Sequence, residues 1–365
     1  MFPDADYSGR LDRARALMSE RGADVMLLSV GSDLPYFIGY EAMPLERLTM
    51  LVVPAGGDAV LVVPRLEAPR VVPRDDAFSV LPWDEAEDPV AIVAAHSSGA
   101  EEVLLGEQTW ARFLLALQRE MPRTRFESAS PVTRELRMRK DPDEIALLRA
   151  AGAATDRVVA TLDGIAFAGR TEREIAADVQ RLTVAEGHDV ASFAIVASGP
   201  NAASPHHEPT HRVIVEGDTV VVDFGGRWHG YCSDTTRTFA VGEPSADVAA
   251  AYTVLATAQA AGRAAVRPGA TGEEVDRATR AVIEDAGYGQ YFIHRTGHGI
   301  GLEVHEHPYI VTGNAEPLEP GMTFSIEPGI YVAGRFGMRI EDIVACTDDG
   351  IDELNRSPRT LHSVA

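Results

Sequence analysis

A segment in the latter part of the chain repeats itself, and the repeat limits what that part can fold into. Gly169-Arg170-Thr171 with Glu174-Ile175 returns as Gly269-Ala270-Thr271 with Glu274-Val275, and Gly187 returns as Gly287. The offset is 100 residues in every pair, from 169 to 269, from 171 to 271 and from 187 to 287. Both copies contain Thr-x-x-Glu, a capping box in which each side chain satisfies a backbone N–H at the start of a helix. Both place a glycine where a helix of the same length would stop. Capping boxes coincide often; matched helix lengths do not. The spacing predicts two similar α+β halves, with a central cleft that residues from both can reach.

At 365 residues the chain exceeds one typical domain, and two are expected. The part before the repeat has a different rhythm. Residues 7–22 read as an amphipathic helix. Short apolar runs follow at Val25–Leu28, Met50–Val53, Ala59–Val63 and Val103–Leu105, alternating with helical stretches such as 109–119. That alternation predicts an α/β domain, a sheet covered by helices, over residues 1–130. Around Ser128 to Arg139 the composition turns polar and basic and reads as a linker. The second domain, residues 140–365, opens at Asp141-Pro142-Asp143-Glu144. Asp is a good N-cap, Pro fits the first helical turn, and Glu144 completes a box-like start.

Within the second domain, acids stand where strands should be. Asp223 and Asp234 lie in VVVDFGGRWHGYCSDTTRTF, Glu327 in FSIEPG and Glu341 in GMRIED, each closing or interrupting an apolar run. An unpaired charge costs several kcal/mol to bury. Asp223 and Asp234 are placed about symmetrically around Gly225–Gly230, and Glu327 and Glu341 around Gly334. Two antiparallel hairpins would then set two acidic pairs face to face, which is unfavourable without cations. His298, flanked by Gly297, Gly299 and Gly301, adds an imidazole where small residues permit close approach. Any one of these residues alone could be an ordinary strand-end or core residue. Together they form a candidate ligand set for two divalent ions, whose four positive charges match four carboxylates. Oxygen-rich sites with one imidazole suit manganese, cobalt, zinc or ferrous iron. No compact run of alternating acids suggests a calcium loop. Two such ions about 3.5–4 Å apart can acidify a water and polarise a carbonyl, which is hydrolytic chemistry.

Nine of the eleven histidines fall between His188 and His307, so the site is expected to be lined with imidazoles. His206 lies in the Gly/Pro/Ser-rich stretch SGPNAASPHHEPTHR, His294 four residues before His298, and His305 seven after it. His207, His211 and His229 read as loop residues. Arg339 shares a strand face with Glu341 and could pair with a metal ligand or hold a substrate carboxylate. Thr236 could donate to a ligand from behind.

Composition removes other classes of function. The net charge of −22 argues against nucleic-acid phosphate as a partner. Cys232 and Cys346 define no disulfide framework and read as reduced core residues. No charged-then-apolar leader and no apolar run of membrane-spanning length is present, so a cytoplasmic location is expected. Lys140 is the only lysine, which reads as habitat or genome bias.

The motifs VVVDFGGRWHGYCSDTTRTF, RTGHGIGLEVHEHP, EPGMTFSIEPGIY and MRIED resemble those of the pita-bread metallopeptidases, in particular the prolidase and aminopeptidase P family. Residues 1–130 resemble the smaller creatinase-type N-terminal domain. The resemblance implies a dinuclear centre with Asp223 on one ion, His298 and Glu327 on the other, and Asp234 and Glu341 bridging. It also implies active-site roles for His206, His294, His305 and Arg339. The implied reaction is hydrolysis of the bond between an N-terminal residue and proline in a peptide, with Glu327 moving the proton, and the implied state is a homodimer. Dipeptidase and aminopeptidase both remain open, the chain length leaning towards the prolidase-like members. Creatinase-like metal-free relatives lack the full ligand set, methionine aminopeptidases lack this N-terminal domain, and a non-catalytic binding module would be expected to have lost ligands.

Overall fold

The computed structural model describes residues 5–365. The chain divides into two compact units, Met1–Arg137 and Met138–Ala365. In the first, helix α1 (Tyr7–Arg21) begins at Asp6, whose carboxylate accepts from the Gly9 N–H, and ends at Gly22 in the left-handed region. Strands β1 (Val25–Leu28), β2 (Met50–Pro54), β3 (Ala59–Pro64), β4 (Phe78–Trp83), β5 (Glu102–Leu105) and β6 (Arg125–Ser128) form one mixed sheet in the order β4-β3-β2-β1-β5-β6. Helices α2 (Asp33–Ile38), α3 (Pro89–His96), α4 (Ala111–Glu120) and α5 (Ser130–Met138) accompany it. Leu27, Val52, Val62, Val103 and Leu117 belong to one buried core.

The stretch read as a linker is therefore the end of β6 followed by a helix. Ala129, Val132 and Leu136 sit three and four apart and share a helical face. The charged residues between them hide that period in the composition.

In the second unit the first half comprises α6 (Pro142–Leu162), α7 (Glu172–Ala185), β7 (Val190–Ser198), β8 (Thr219–Trp228), β9 (Tyr231–Cys232) and β10 (Thr235–Val241). The second half comprises α8 (Ala246–Ala265), α9 (Gly272–Asp285), β11 (Gly297–Gly299), β12 (Glu306–Ile310), β13 (Thr323–Ile326), β14 (Gly329–Val332), β15 (Phe336–Arg339), β16 (Asp342–Thr347) and β17 (Gly350–Glu353). A last strand, β18 (His362–Val364), returns to β10. One sheet runs β18-β10-β8-β7 with β9 against β8, another runs β12-β11-β13-β16-β17, and β14–β15 is a separate hairpin.

The internal repeat is structural. Both capping boxes form, and α7 and α9 are each 14 residues long. The turn before each helix is stitched to its own half in the same way. The Gly169 N–H donates to the Ile214 carbonyl at 2.9 Å and the Ile214 N–H returns to Arg170 at 2.8 Å. In the second half the Gly269 N–H donates to Leu318 at 2.8 Å and the Leu318 N–H returns to Ala270 at 2.7 Å. Each half also buries its own core: Val159, Phe167, Ile175, Val222 and Phe239 in one, and Val275, Ile310, Phe324, Ile326 and Val344 in the other. Cys232 and Cys346 are buried free thiols. Among the described residues no helix is long and apolar enough to cross a membrane.

Gly152 lets α6 lie directly on the chain at Leu354. A Cβ there would stand 2.3 Å from the Leu354 carbonyl oxygen, a backbone atom that cannot swing aside. Gly152→Ala should therefore destabilise the fold by about 1–3 kcal/mol. The measurement is urea unfolding, where the midpoint should fall with the slope unchanged; an unshifted midpoint would contradict this packing.

Candidate metal centre

Two hairpins carry the four acids, and each places them by register. In the first, β8 pairs with β10 so that Asp223 faces Thr236. The turn is made by His229 and Gly230, with φ of 49° and 89°. The glycines at 225 and 226 are not part of it: β8 runs through them to Trp228. The turn therefore centres later than the symmetry of the aspartates suggests. Asp223 and Asp234 are diagonal neighbours rather than directly opposed ones. Gly225 has a different use, because a Cβ there would lie 2.0 Å from the Ser233 carbonyl. Its absence lets the segment bearing Asp234 close onto β8.

The second hairpin follows the expected symmetry. Gly329 pairs with Arg339 and Val332 with Phe336 around Gly334, whose φ is 73°. Glu327 and Glu341 lie two residues beyond the last pair. There the strands part. The Glu327 N–H donates to Thr296 at 2.8 Å, and the Glu341 N–H donates to Thr236 at 3.1 Å. One hairpin thus delivers an acid to each half of the unit.

The five side chains converge. His298 Nε2 lies 3.3 Å from Glu327 Oε1, 3.6 Å from Asp234 Oδ2 and 3.9 Å from Glu341 Oε1. Single oxygens of Asp223, Asp234 and Glu341 lie within 4.8 Å of one another. Asp223, Asp234, His298 and Glu341 are buried. The Nδ1 of His298 sits 3.1 Å from the Gly299 carbonyl. A carbonyl can only accept, so Nδ1 carries the proton and Nε2 turns a lone pair towards the carboxylates. With the carboxylates ionised, acceptors therefore face acceptors. Asp223 Oδ1, Asp234 Oδ1 and Glu341 Oε1 are buried and unpartnered. Among the described residues a single guanidinium is in direct contact with the acids, Arg339, whose Nη2 is 2.5 Å from Asp223 Oδ2. The residues fit a group that is positive and makes no hydrogen bonds, namely cations of the hard to borderline kind.

The same crowding displaces the titrations. Burial, then repulsion from Glu341 and Asp223, raises Asp234 well above the usual carboxylate range. Burial, then the charges of Glu327 and Asp223, does the same to Glu341. Burial carries Glu327 up to about 7 against the pull of Arg339. Burial and the neighbouring His305 hold His298 well below its ordinary value.

The surrounding residues divide into two groups. Arg339 is buried and fully engaged: Nη1 donates to Tyr331 at 2.8 Å, Nε donates to Thr236 at 3.1 Å, and Nη2 holds Asp223. Of the two roles open to it in the sequence, the structure shows the pairing with Asp223. Tyr331, which carries no signal in the sequence, links Arg339 to His294, whose Nε2 is 2.9 Å from the hydroxyl. It sits four residues after Glu327, on the same hairpin strand. The other nitrogen of His294 is 2.7 Å from the Arg295 carbonyl, and burial drives its titration down to about 3. His294 thus stands behind Arg339. Thr236 donates to Glu341 Oε2 at 2.6 Å, as its position suggests.

His305 and His206 are the exposed pair. The His305 ring meets that of His298 edge-on at 4.0 Å, and one of its nitrogens lies within 4.8 Å of ligand atoms of Asp234 and His298. His206 is near enough to His305 and His294 for its charge to depress both. His207, read as a plain loop residue, faces the buried Glu172 at 3.3 Å. Lys140 is more than compositional bias. Its ammonium is buried 2.6 Å from Glu306, the residue after His305. A Cβ on Gly301 would come 2.9 Å from Lys140 Cε, so the missing side chain there leaves room for the lysine stem.

Fold and site together define a protein built to hold divalent cations where two related α+β halves meet. Comparison with known proteins agrees. Residues 146–348 match metallopeptidase family M24, and residues 10–139 match the creatinase/prolidase N-terminal domain. A probable dipeptidase PepE of Mycobacterium tuberculosis is 46% identical over 97% of this chain and 96% of its own length. A Xaa-Pro dipeptidase of Lactobacillus helveticus is 36% identical over 96% of this chain and 98% of its own. The crystal structure of a prolidase from Thermococcus sibiricus superposes with a TM-score of 0.94 at 38% identity, covering 99% of this chain and all of that one. The chain belongs to metallopeptidase family M24. It is a hydrolase with a creatinase-type N-terminal domain and a pita-bread catalytic domain.

The raised carboxyls make a signed prediction. A carboxyl whose folded value lies above its unfolded one weakens the fold as pH rises between the two. Without cations the folded chain keeps Glu327 protonated below about 7 and must ionise it, buried and crowded, above that, and Asp234 and Glu341 are raised in the same direction. Cations remove that cost and bind only the folded form. Adding manganese to chelator-treated protein should raise Tm by several degrees near pH 8 and by clearly less near pH 5.5. Thermal melts at the two pH values check this; equal shifts, or none, would contradict it.

Proposed function

We propose that this chain is a dinuclear Xaa-Pro dipeptidase, cleaving the bond between an N-terminal residue and proline in short peptides. The observation that carries the reading is the convergence of three carboxylates on one imidazole lone pair, with the fourth, Asp223, gathered against two of them and three buried oxygens unpartnered. The relatives named dipeptidase, Xaa-Pro dipeptidase and prolidase support the substrate class.

Asp223 would hold one ion, His298 and Glu327 the other, and Asp234 and Glu341 both. Bound there, manganese or cobalt, with zinc or iron as substitutes, would supply Lewis-acid chemistry that polarises a carbonyl and makes water a better nucleophile. The remaining work falls to the chain's own groups. Arg339 keeps Asp223 aimed, and is itself braced by Tyr331 and His294. Ser325 Oγ donates to Glu327 Oε1 at 3.2 Å, which orients that carboxylate to accept a proton from water and pass it to the departing nitrogen. His206 and His305, both exposed, would donate to the developing oxyanion or to the proline nitrogen. The X–Pro bond is a tertiary amide with no N–H and a fixed φ. A site that grips the carbonyl rather than the amide N–H is suited to it. The same proposal includes a homodimer, common in the family, and a cytoplasmic location, which suits the two free thiols.

Two experiments test this. Asp234→Ala and Glu341→Ala should each abolish bound metal, by elemental analysis, and reduce turnover at least about a thousandfold; wild-type turnover in either would refute the ligand assignment. Manganese-loaded protein should cleave Xaa-Pro dipeptides at least about tenfold faster in kcat/KM than Xaa-Pro-Xaa tripeptides. The reverse order would make the enzyme an aminopeptidase.

A further inference from the structure

Glu172 is a fully buried carboxylate outside the acidic centre, and the family chemistry described above does not use it. It occupies the first position of α7, yet its side chain turns inward to a loop. Oε1 accepts from the Ser198 N–H at 2.8 Å, the Ser198 hydroxyl at 2.8 Å and the Asn201 amide at 3.0 Å. Oε2 accepts from the Thr210 N–H at 3.0 Å and the Thr210 hydroxyl at 2.7 Å, and faces His207 at 3.3 Å. These partners are the two ends of one excursion, from the last residue of β7 to residue 210. His206 lies inside it. The far side of the loop rests on β15: Gly337 leaves room for the Ala202 carbonyl, which would stand 1.7 Å from a Cβ, and the Pro205 carbonyl accepts from Arg339 at 3.4 Å.

We infer that Glu172 is a positioning residue for the reaction, closing the loop over 199–209 and thereby setting where His206 stands. The inference rests on the proposed peptidase reading for its kinetic consequence, though not for the structural one. Two observations separate it from a general need of the fold. The repeat puts Gly272 at the equivalent place, so the other half builds the same helix start with no carboxylate there. And each oxygen of Glu172 accepts a backbone N–H. A glutamine would have to aim its NH2 at one of them, so the isosteric change must release one end of the loop. Against burial, which raises it, the hydroxyl and N–H donors of Thr210 and Ser198 hold the carboxyl down at about 2, so it stays ionised at working pH.

The test is a double-mutant cycle with the metal-loaded full chain. Glu172→Gln should lower kcat/KM at least about tenfold in the wild-type background, with metal content unchanged. In a His206→Ala background the same change should cost less than about twofold. Equal losses in both backgrounds would overturn the inference, since a merely structural defect would not depend on His206. Hydrogen exchange supplies the second arm. Amides 199–209 should exchange at least about tenfold faster in Glu172→Gln while β8 stays protected; unchanged loop exchange would also overturn it. Should Glu172→Gln fail to fold, Thr210→Val removes one hydroxyl donor and takes its place in the same cycle, where a loss that depends on His206 supports the role and equal losses overturn it. If the wild-type protein cleaves no Xaa-Pro peptide, the functional reading fails alone and the exchange arm still decides the role of Glu172.

Discussion

Four carboxylates crowded into one site, three of them against a single imidazole lone pair, repel each other, and the catalytic unit must hold them together by means other than their own attraction. It does so through backbone. Glu327 is tied to Thr296 in one half and Glu341 to Thr236 in the other, both by main-chain hydrogen bonds. Behind the second tie lies Arg237, fully buried, donating to the carbonyls of Thr236, Glu341, Ser357 and Pro358 and to the Asp342 carboxylate. Asp342 is in turn held by Gln259 and Arg359. A buried ion pair of this kind adds little net stability but penalises any rearrangement that would unpair it. Its value here is geometric: it fixes the strands on both sides of the acids whether or not cations are present.

The two related halves explain why the site has this shape. Each half is a pair of helices capped alike and a sheet with its own core. Neither half alone owns the ligand set. The first contributes Asp223 and Asp234, the second His298, and the β14–β15 hairpin sends one glutamate to each. The chain around the ligands extends the same logic outward. Arg339, Tyr331 and His294 form a line of hydrogen bonds behind Asp223. Lys140 anchors Glu306 behind His305. Polar groups this far from water are tolerable because nearly all of them have partners, and around the acids the exceptions are one oxygen each of Asp223, Asp234 and Glu341.

Much of this is legible in residue order. The symmetry of Glu327 and Glu341 about Gly334 matches the observed register because a short hairpin fixes pairing by counting from its turn. The same counting misplaces Asp223 and Asp234, because Gly225 and Gly226 look like turn residues but serve close approach within a strand. Single-lysine composition resembles habitat bias because nothing in sequence shows that the Lys140 ammonium is buried against Glu306. The helix at Ser130–Met138 passes for a linker since its apolar face is only three residues wide. Tyr331 and Glu172 leave no readable signal, as their partners lie 8 to 38 residues away and meet them only in space.

The order of residues by itself determined the two-domain plan, the paired α+β halves and the identity of the five converging side chains, because caps, periodicity and acids inside apolar runs are local properties. Tertiary structure decided which acids neighbour which, that Arg339 serves Asp223, and that His294 stands behind the site while His305 and His206 stay exposed. Those outcomes depend on turn position, on steric room a few tenths of an ångström wide and on which lone pairs end up without donors. Such quantities exist only once distant segments share the same space.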